Sequence, residues 1–271
     1  MTNAEEIRII TPILRLDTTF EKTLISLCPQ LKTGDLWTIC IDSSSQLVPS
    51  SLIEFFPLLK QYISEVHIIK SNSAPGAGNT RNYALEEIIA RDKASGCLMF
   101  LDADDEYHSH FLELARSYFT QDHPVVSFSY NRVHSSGRVH SIVKDAVVPY
   151  GKFVFSYGTS CLSTIVFLSR NFSLDGLRFG CRKRANDQLF FLNAAKKAGS
   201  VLFVKDIVAD YKVGNPKSLS GRMFLMPYYK FLALCDHGLG KPLIFKIMIF
   251  YLGSRLISRV TEYVKGRKPW S

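Results

Sequence analysis

Short apolar runs alternate with amphipathic segments through the first half of the chain, and that alternation restricts the folds open to it. Ile7–Ile10 reads as a strand ended by Thr11-Pro12, and Thr19–Cys28 as a helix with Phe20, Leu24 and Leu27 on one face. Leu36–Ile41 reads as a second buried strand ending at Asp42, Leu52–Ile63 as a helix, and Val66–Ile69 as a third strand. A Gly/Asn loop over Ser71–Asn79 leads into a helix through Arg81 to Arg91. The fourth strand, Cys97–Leu101, runs straight into Asp102-Ala103-Asp104-Asp105. Strands separated by helices at this spacing predict a parallel, doubly wound α/β sheet. Ligands bind such sheets beyond the carboxyl ends of the strands, where Thr11, Asp42 and Asp102 fall.

After residue 120 the pattern changes. Val125–Tyr130 and Val139–Val143 read as strands flanking the turn His134-Ser135-Ser136-Gly137. Ala185–Ala198 reads as a helix closed by Gly199, and Val201–Val204 as a further strand.

Three clusters carry chemistry. Asp102-Ala103-Asp104-Asp105 delivers closely spaced carboxylates from the end of a buried strand, which suits a hard divalent cation with oxygen ligands. An acidic turn capping the next helix, with Asp104 or Asp105 near the cap, is the other reading. Gly76-Ala-Gly-Asn-Thr-Arg-Asn82 precedes a helix; its glycines permit close backbone approach and Arg81 can reach a phosphate. A plain loop with left-handed positions fits it as well. Asp187 opens a helix, either as an N-terminal cap or as a catalytic acid. No Gly-x-x-x-x-Gly-Lys-Ser/Thr, Gly-x-Ser-x-Gly or His-Glu-x-x-His is present, which removes P-loop, serine-elbow and zincin chemistry of those types. The six cysteines form no Cys-x-x-Cys pair and read as reduced thiols, several of them core filler.

Charge is unevenly placed. The net charge is +9, yet residues 1–180 hold 16 basic against 19 acidic residues, and residues 181–271 hold 17 against 5. Such asymmetry argues against a uniform nucleic-acid coat, and no nucleic-acid partner is expected. From Pro242 the chain reads as a helix with Leu252, Leu256, Ile257, Val260 and Val264 on one side. Ser254, Arg255, Ser258, Arg259, Glu262 and Lys265 fall opposite. Such a helix can lie in a lipid interface or pack on protein. The most apolar stretch, Pro242–Leu252, is interrupted by Lys246 and too short to cross a bilayer. With no secretory pattern at the start, a cytoplasmic protein is expected, peripheral on the inner face of the plasma membrane if 242–265 takes the lipid rather than the protein alternative.

Together, Ile9-Ile-Thr-Pro12, Thr23-Leu-Ile-Ser-Leu27, Ile41-Asp-Ser-Ser-Ser45, Gly78-Asn-Thr-Arg-Asn82, Leu101-Asp-Ala-Asp-Asp105 and Asn186-Asp187 recur in order. Over about residues 7–220 the chain resembles the family-2 glycosyltransferases of the GT-A fold, of the bacterial surface-polysaccharide type. The resemblance implies a Rossmann-like, mostly parallel central sheet flanked by helices. It implies a catalytic domain at 1–221, with a nucleotide-sugar half at about 1–120 and an acceptor half at about 121–221. A helical basic extension follows at 222–271.

The same resemblance implies a nucleotide-diphosphate-sugar donor, a saccharide or lipid-linked acceptor, Mg²⁺ or Mn²⁺ as cofactor, and transfer with inversion. Thr11, Pro12 and Asp42 match positions lining the nucleoside pocket, and Gly78, Arg81 and Asn82 match the loop beside the donor. Asp102, Ala103 and Asp104 match the Asp-x-Asp that holds donor and metal, with Asp102 and Asp104 as metal ligands, and Asp187 matches the general base. Tyr211-Lys212 and Ser218-Leu-Ser220 resemble a late stretch that closes over the diphosphate. The chain departs from the family pattern in reading Asp42-Ser-Ser-Ser45 for Asp-Asp-Gly-Ser and Asn186-Asp187 for Glu-Asp. A catalytically inactive module of the same fold and a sugar nucleotidyltransferase are the competing readings. The latter is expected to carry a Gly-rich loop after the first strand, where this chain has Thr11-Pro-Ile-Leu-Arg-Leu16.

Overall fold

Among the described residues ten strands join in one sheet that positions everything else. The structure is a computed structural model and describes residues 6–16, 18–91, 96–118, 123–134, 136–156, 161–168, 174–182, 186–213 and 226–264. The strands are β1 (Ile7–Ile13), β2 (Leu36–Ile41), β3 (Val66–Lys70), β4 (Cys97–Phe100) and β5 (Glu106–Tyr107). They continue as β6 (Val125–His134), β7 (Val139–Ile142), β8 (Ala146–Pro149), β9 (Ile165–Leu168) and β10 (Ser200–Val213). The order is β3-β2-β1-β4-β9-β6-β10-β5, with β7 on β6 and β8 on β10. The pairs β3–β2, β2–β1, β1–β4 and β6–β10 are parallel, whereas β9 is antiparallel to both β4 and β6. The six strands β3, β2, β1, β4, β6 and β10 therefore point one way, with β9 reversed between them. This is the mostly parallel, helix-flanked sheet of the expected fold class.

Side chains of the first strands divide between two cores in strict alternation. Ile9, Ile39, Ile41, Cys97 and Met99 join one core with Phe20, Leu24 and Leu27 of α1 (Thr18–Leu27) and Leu52 of α2 (Pro49–Phe55). Ile10, Cys40, Leu98 and Phe100 join the other with Ala84, Leu85 and Ile88 of α3 (Ala77–Arg91). Burial on both faces is why these strands read as continuous apolar runs. The predicted helix over 52–63 ends early, because Pro57 follows α2 and a 3₁₀ segment takes over at Pro57–Tyr62. The remaining helices are α4 (Phe111–Ser117), α5 (Tyr150–Ser156), α6 (Asn186–Ala198), α7 (Met226–Asp236) and α8 (Lys241–Val264). All six cysteines are free, and Cys28, Cys40, Cys97 and Cys161 are buried.

β1 runs three residues beyond its predicted end, so Thr11 and Pro12 lie inside it. Pro12 is tolerated there because β4 pairs only as far as Ile10, leaving no ladder bond on that side for a Pro12 N–H to make. The extension from 222 comprises α7 and α8, and Leu234, Ile244 and Ile247 are buried in the second core. The boundary at 221/222 lies outside the described residues. So do the side chains of Ser254–Val264, and with them the faces expected beyond Gly253.

Candidate active site

β4 ends at Phe100, and the chain leaves the sheet carrying three acids. The Thr23 hydroxyl of α1 lies 3.0 Å from the Ala103 carbonyl oxygen and 2.8 Å from that of Asp105, donating between them. The Asp102 N–H donates to the Ser163 hydroxyl at 3.2 Å. Held from two sides, Asp102, Asp104 and Asp105 bring one carboxylate oxygen each to within 4.8 Å of one another.

Asp105 is the buried member, 1% exposed, and among the described residues neither of its carboxylate oxygens completes a hydrogen bond. Burial, then the charges of Asp102 and Asp104, pushes its carboxyl well above the usual range; the nearby Ser163 hydroxyl and Lys212 N–H offset only part of that. Orphaned buried oxygens among like charges are what a hard cation would satisfy, so the residues present fit a divalent metal. The Asp-x-Asp pattern names Asp102 and Asp104 as the ligand pair, and the structure adds Asp105 of the same acidic run to them. Its signal was the third acid directly after an apolar strand.

Arg81, 6% exposed, donates to Asp102 Oδ1 at 2.5 Å and lies over the Phe179 ring, 5.4 Å from its centroid. Asp187 stands in the first turn of α6. Burial raises its carboxyl, Arg81 lowers it and Asp102 raises it, so these three form one electrostatic unit. Asn186, beside it, is buried. Among the described residues, Arg81 Nε has no partner.

The Gly76 loop is fixed by Asp42. One Asp42 oxygen accepts from the Ser44 N–H (2.9 Å) and hydroxyl (2.6 Å), the other from the Gly76 N–H (2.8 Å) and Thr80 hydroxyl (2.9 Å). Burial raises its carboxyl, but these hydrogen bonds outweigh that and hold it below its ordinary value. Gly76 itself takes φ +125°, a backbone conformation that favours glycine.

Gly78 and Asn82 face another segment. A Cβ on Gly78 would lie 2.4 Å from the Gly180 carbonyl oxygen. The Asn82 side chain donates to the Phe179 carbonyl at 3.1 Å and accepts from the Phe179 N–H at 2.8 Å. Phe179 in turn stacks on Phe190 of α6, with ring centroids 4.4 Å apart. The Thr11 side chain is buried, and its hydroxyl accepts from Trp37 Nε1 at 2.9 Å. Lys212 pairs with Glu106 at 2.7 Å. Ser218-Leu-Ser220 lies outside the described residues.

A family model described as "Glycosyl transferase family 2" matches residues 9–167. Among solved structures, S. aureus TarS matches with TM-score 0.63 at 18% identity, over 91% of this chain and 43% of that one. This chain thus spans less than half of TarS. The mannosyltransferase PcManGT from Pyrobaculum calidifontis, solved with GDP-Man and Mn²⁺, matches with TM-score 0.61 at 13% identity, over 93% of this chain and 70% of that one. GalNAc-T7 with UDP, GalNAc and Mn²⁺ matches with TM-score 0.51 at 11% identity, over 78% of this chain and 44% of that one. No curated protein sequence matches. At these identities the structural likenesses speak for the fold.

Proposed function

This chain belongs to glycosyl transferase family 2, and on that premise we propose that it moves a glycosyl group from a nucleoside-diphosphate sugar to an acceptor hydroxyl, in polysaccharide or glycolipid assembly. The carrying observation is the carboxylate triad at the end of β4, electrostatically joined through Arg81 and Asp102 to Asp187. Two of the structural neighbours are solved with Mn²⁺ and a nucleotide or nucleotide sugar, which supports a donor of that class.

Asp102 and Asp104, with Asp105 behind them, would hold Mg²⁺ or Mn²⁺, which supplies Lewis-acid stabilisation of charge on the departing diphosphate. Asp187 takes the proton of the acceptor hydroxyl; burial brings its carboxyl closer to neutrality, which makes it a stronger base once ionised. Arg81 keeps Asp102 oriented and tempers the charge around Asp187. Thr11, Pro12, Asp42 and Ala103 are assigned to the nucleotide side, Asp42 through the loop it anchors, whereas Gly78 and Asn82 position α3 against residues 177–180. Transfer proceeds by a single displacement with inversion, as the family resemblance implies: the acceptor oxygen bonds to the anomeric carbon as the bond to the diphosphate breaks, with no covalent carrier.

A thermal-shift panel of UDP, GDP, CDP and TDP, each with and without Mn²⁺ or Mg²⁺, tests the reading. Ligand at 100 times its Kd adds roughly 2.7 kcal/mol to stability. One nucleotide is expected to stabilise the protein only with metal, and Asp104→Ala to lose that effect. A panel in which no nucleotide shifts the melt would sink the proposal and leave an inactive module of the same fold.

A further inference from the structure

α8 is apolar on its inner and outer sides alike. Its inner side, Ile244 and Ile247, is buried against the catalytic core. Its outer side leaves Phe245 67%, Ile249 56% and Leu252 51% exposed, at a spacing of four and three residues that stacks them into one stripe. Phe250, 55% exposed, lies at the flank against Phe155. An apolar stripe opposite a buried side calls for burial of its own, and the protein covers only the inner side. Among the described residues no helix is long and apolar enough to cross a membrane.

The charge around this stripe selects the occupant. Lys241 and Lys246 are exposed, and helical geometry places Lys246 between Ile249 and Phe250. Residues 222–271 carry nine basic and two acidic residues. One of those acids, Asp236, is engaged by Arg182 in a two-pronged ion pair at 2.7 and 2.8 Å, and Lys230 is buried over Tyr251. The exposed charges described on α8, Lys241 and Lys246, are both positive. A second copy would set lysine against lysine, and a nucleic acid would leave the aromatic stripe in water. An anionic bilayer surface satisfies both features: rings and aliphatic chains enter the headgroup boundary while lysine stems reach out to phosphates.

We propose that α8 docks the protein on anionic lipid, with Phe245, Ile249 and Leu252 inserted and Lys241 and Lys246 on the headgroups. This reading stands independently of the transferase activity. The full chain is tested by co-sedimentation with phosphatidylcholine vesicles with and without phosphatidylglycerol. Binding is expected only with phosphatidylglycerol, declining as salt rises. Phe245→Ser/Ile249→Ser is expected to abolish it with the melting temperature retained. Lys246→Gln, which leaves the stripe intact, is expected to weaken binding about fivefold. Absence of binding by the folded wild type overturns the proposal. So does a concentration-dependent dimer that the double variant converts to monomer without any vesicle binding, which assigns the stripe to a second copy.

Discussion

Asp42 shows how one side chain can organise a loop. Its four hydrogen bonds tie the end of β2 to Ser44, Gly76 and Thr80. Asp42→Ala leaves those donors unpaired and is expected to lower stability by about 2–3 kcal/mol, read by urea unfolding. The pH sign follows from its depressed carboxyl: the contribution is full above the unfolded value of about 3.9 and is lost as pH falls below it. The variant's urea midpoint should accordingly respond less to acid than the wild type's. Residue chemistry at this scale was only partly legible in the sequence. The Asp-x-Asp was visible as a pattern, whereas the burial of Asp105 depends on Thr23 and Ser163, which lie 82 and 58 positions away in the chain. The family match ends at residue 167, before Asp187, so that residue's role rests on its surroundings.

Between elements, the decisive contact is α3 against residues 177–180. Gly78 makes room for the Gly180 carbonyl, and Asn82 grips Phe179 by both backbone groups. Because Phe179 stacks on α6, this contact sets where Asp187 stands relative to Asp102. Gly78→Ala is expected to cost about 1–3 kcal/mol through overpacking, measured by thermal melting. Asn82→Ala is expected to lower kcat by about 10–100-fold while metal-dependent nucleotide binding persists. Loss of nucleotide binding with unchanged kcat would instead place Asn82 on the donor.

Elements whose own pattern sufficed were readable: Leu36–Ile41 was expected and found at both ends. Those defined by distant partners were not. β9 is four apolar residues with nothing local to say that it runs against its neighbours, and β5 is two residues completed only by β10.

At the scale of the whole molecule, α7 and α8 are part of the second core rather than an appendage. Arg182–Asp236 and the chain Tyr150–His237–Asn193, at 2.6 and 2.7 Å, stitch them to the preceding chain. A fragment ending at residue 225 uncovers the surface against Leu234, Ile244 and Ile247. It is expected to melt lower than the full chain and to aggregate, as read by light scattering during the melt. The reversed strand has a consequence for biosynthesis. β4 carries the three acids, but its outer edge is closed only by β9, and Ser163, which braces Asp102, arrives just ahead of that strand. A nascent chain of 120 residues has therefore already emerged with every acid of the triad and still has no finished cradle for them. Site assembly is timed by the second half of translation, when Ser163 and β9 arrive to complete the cradle.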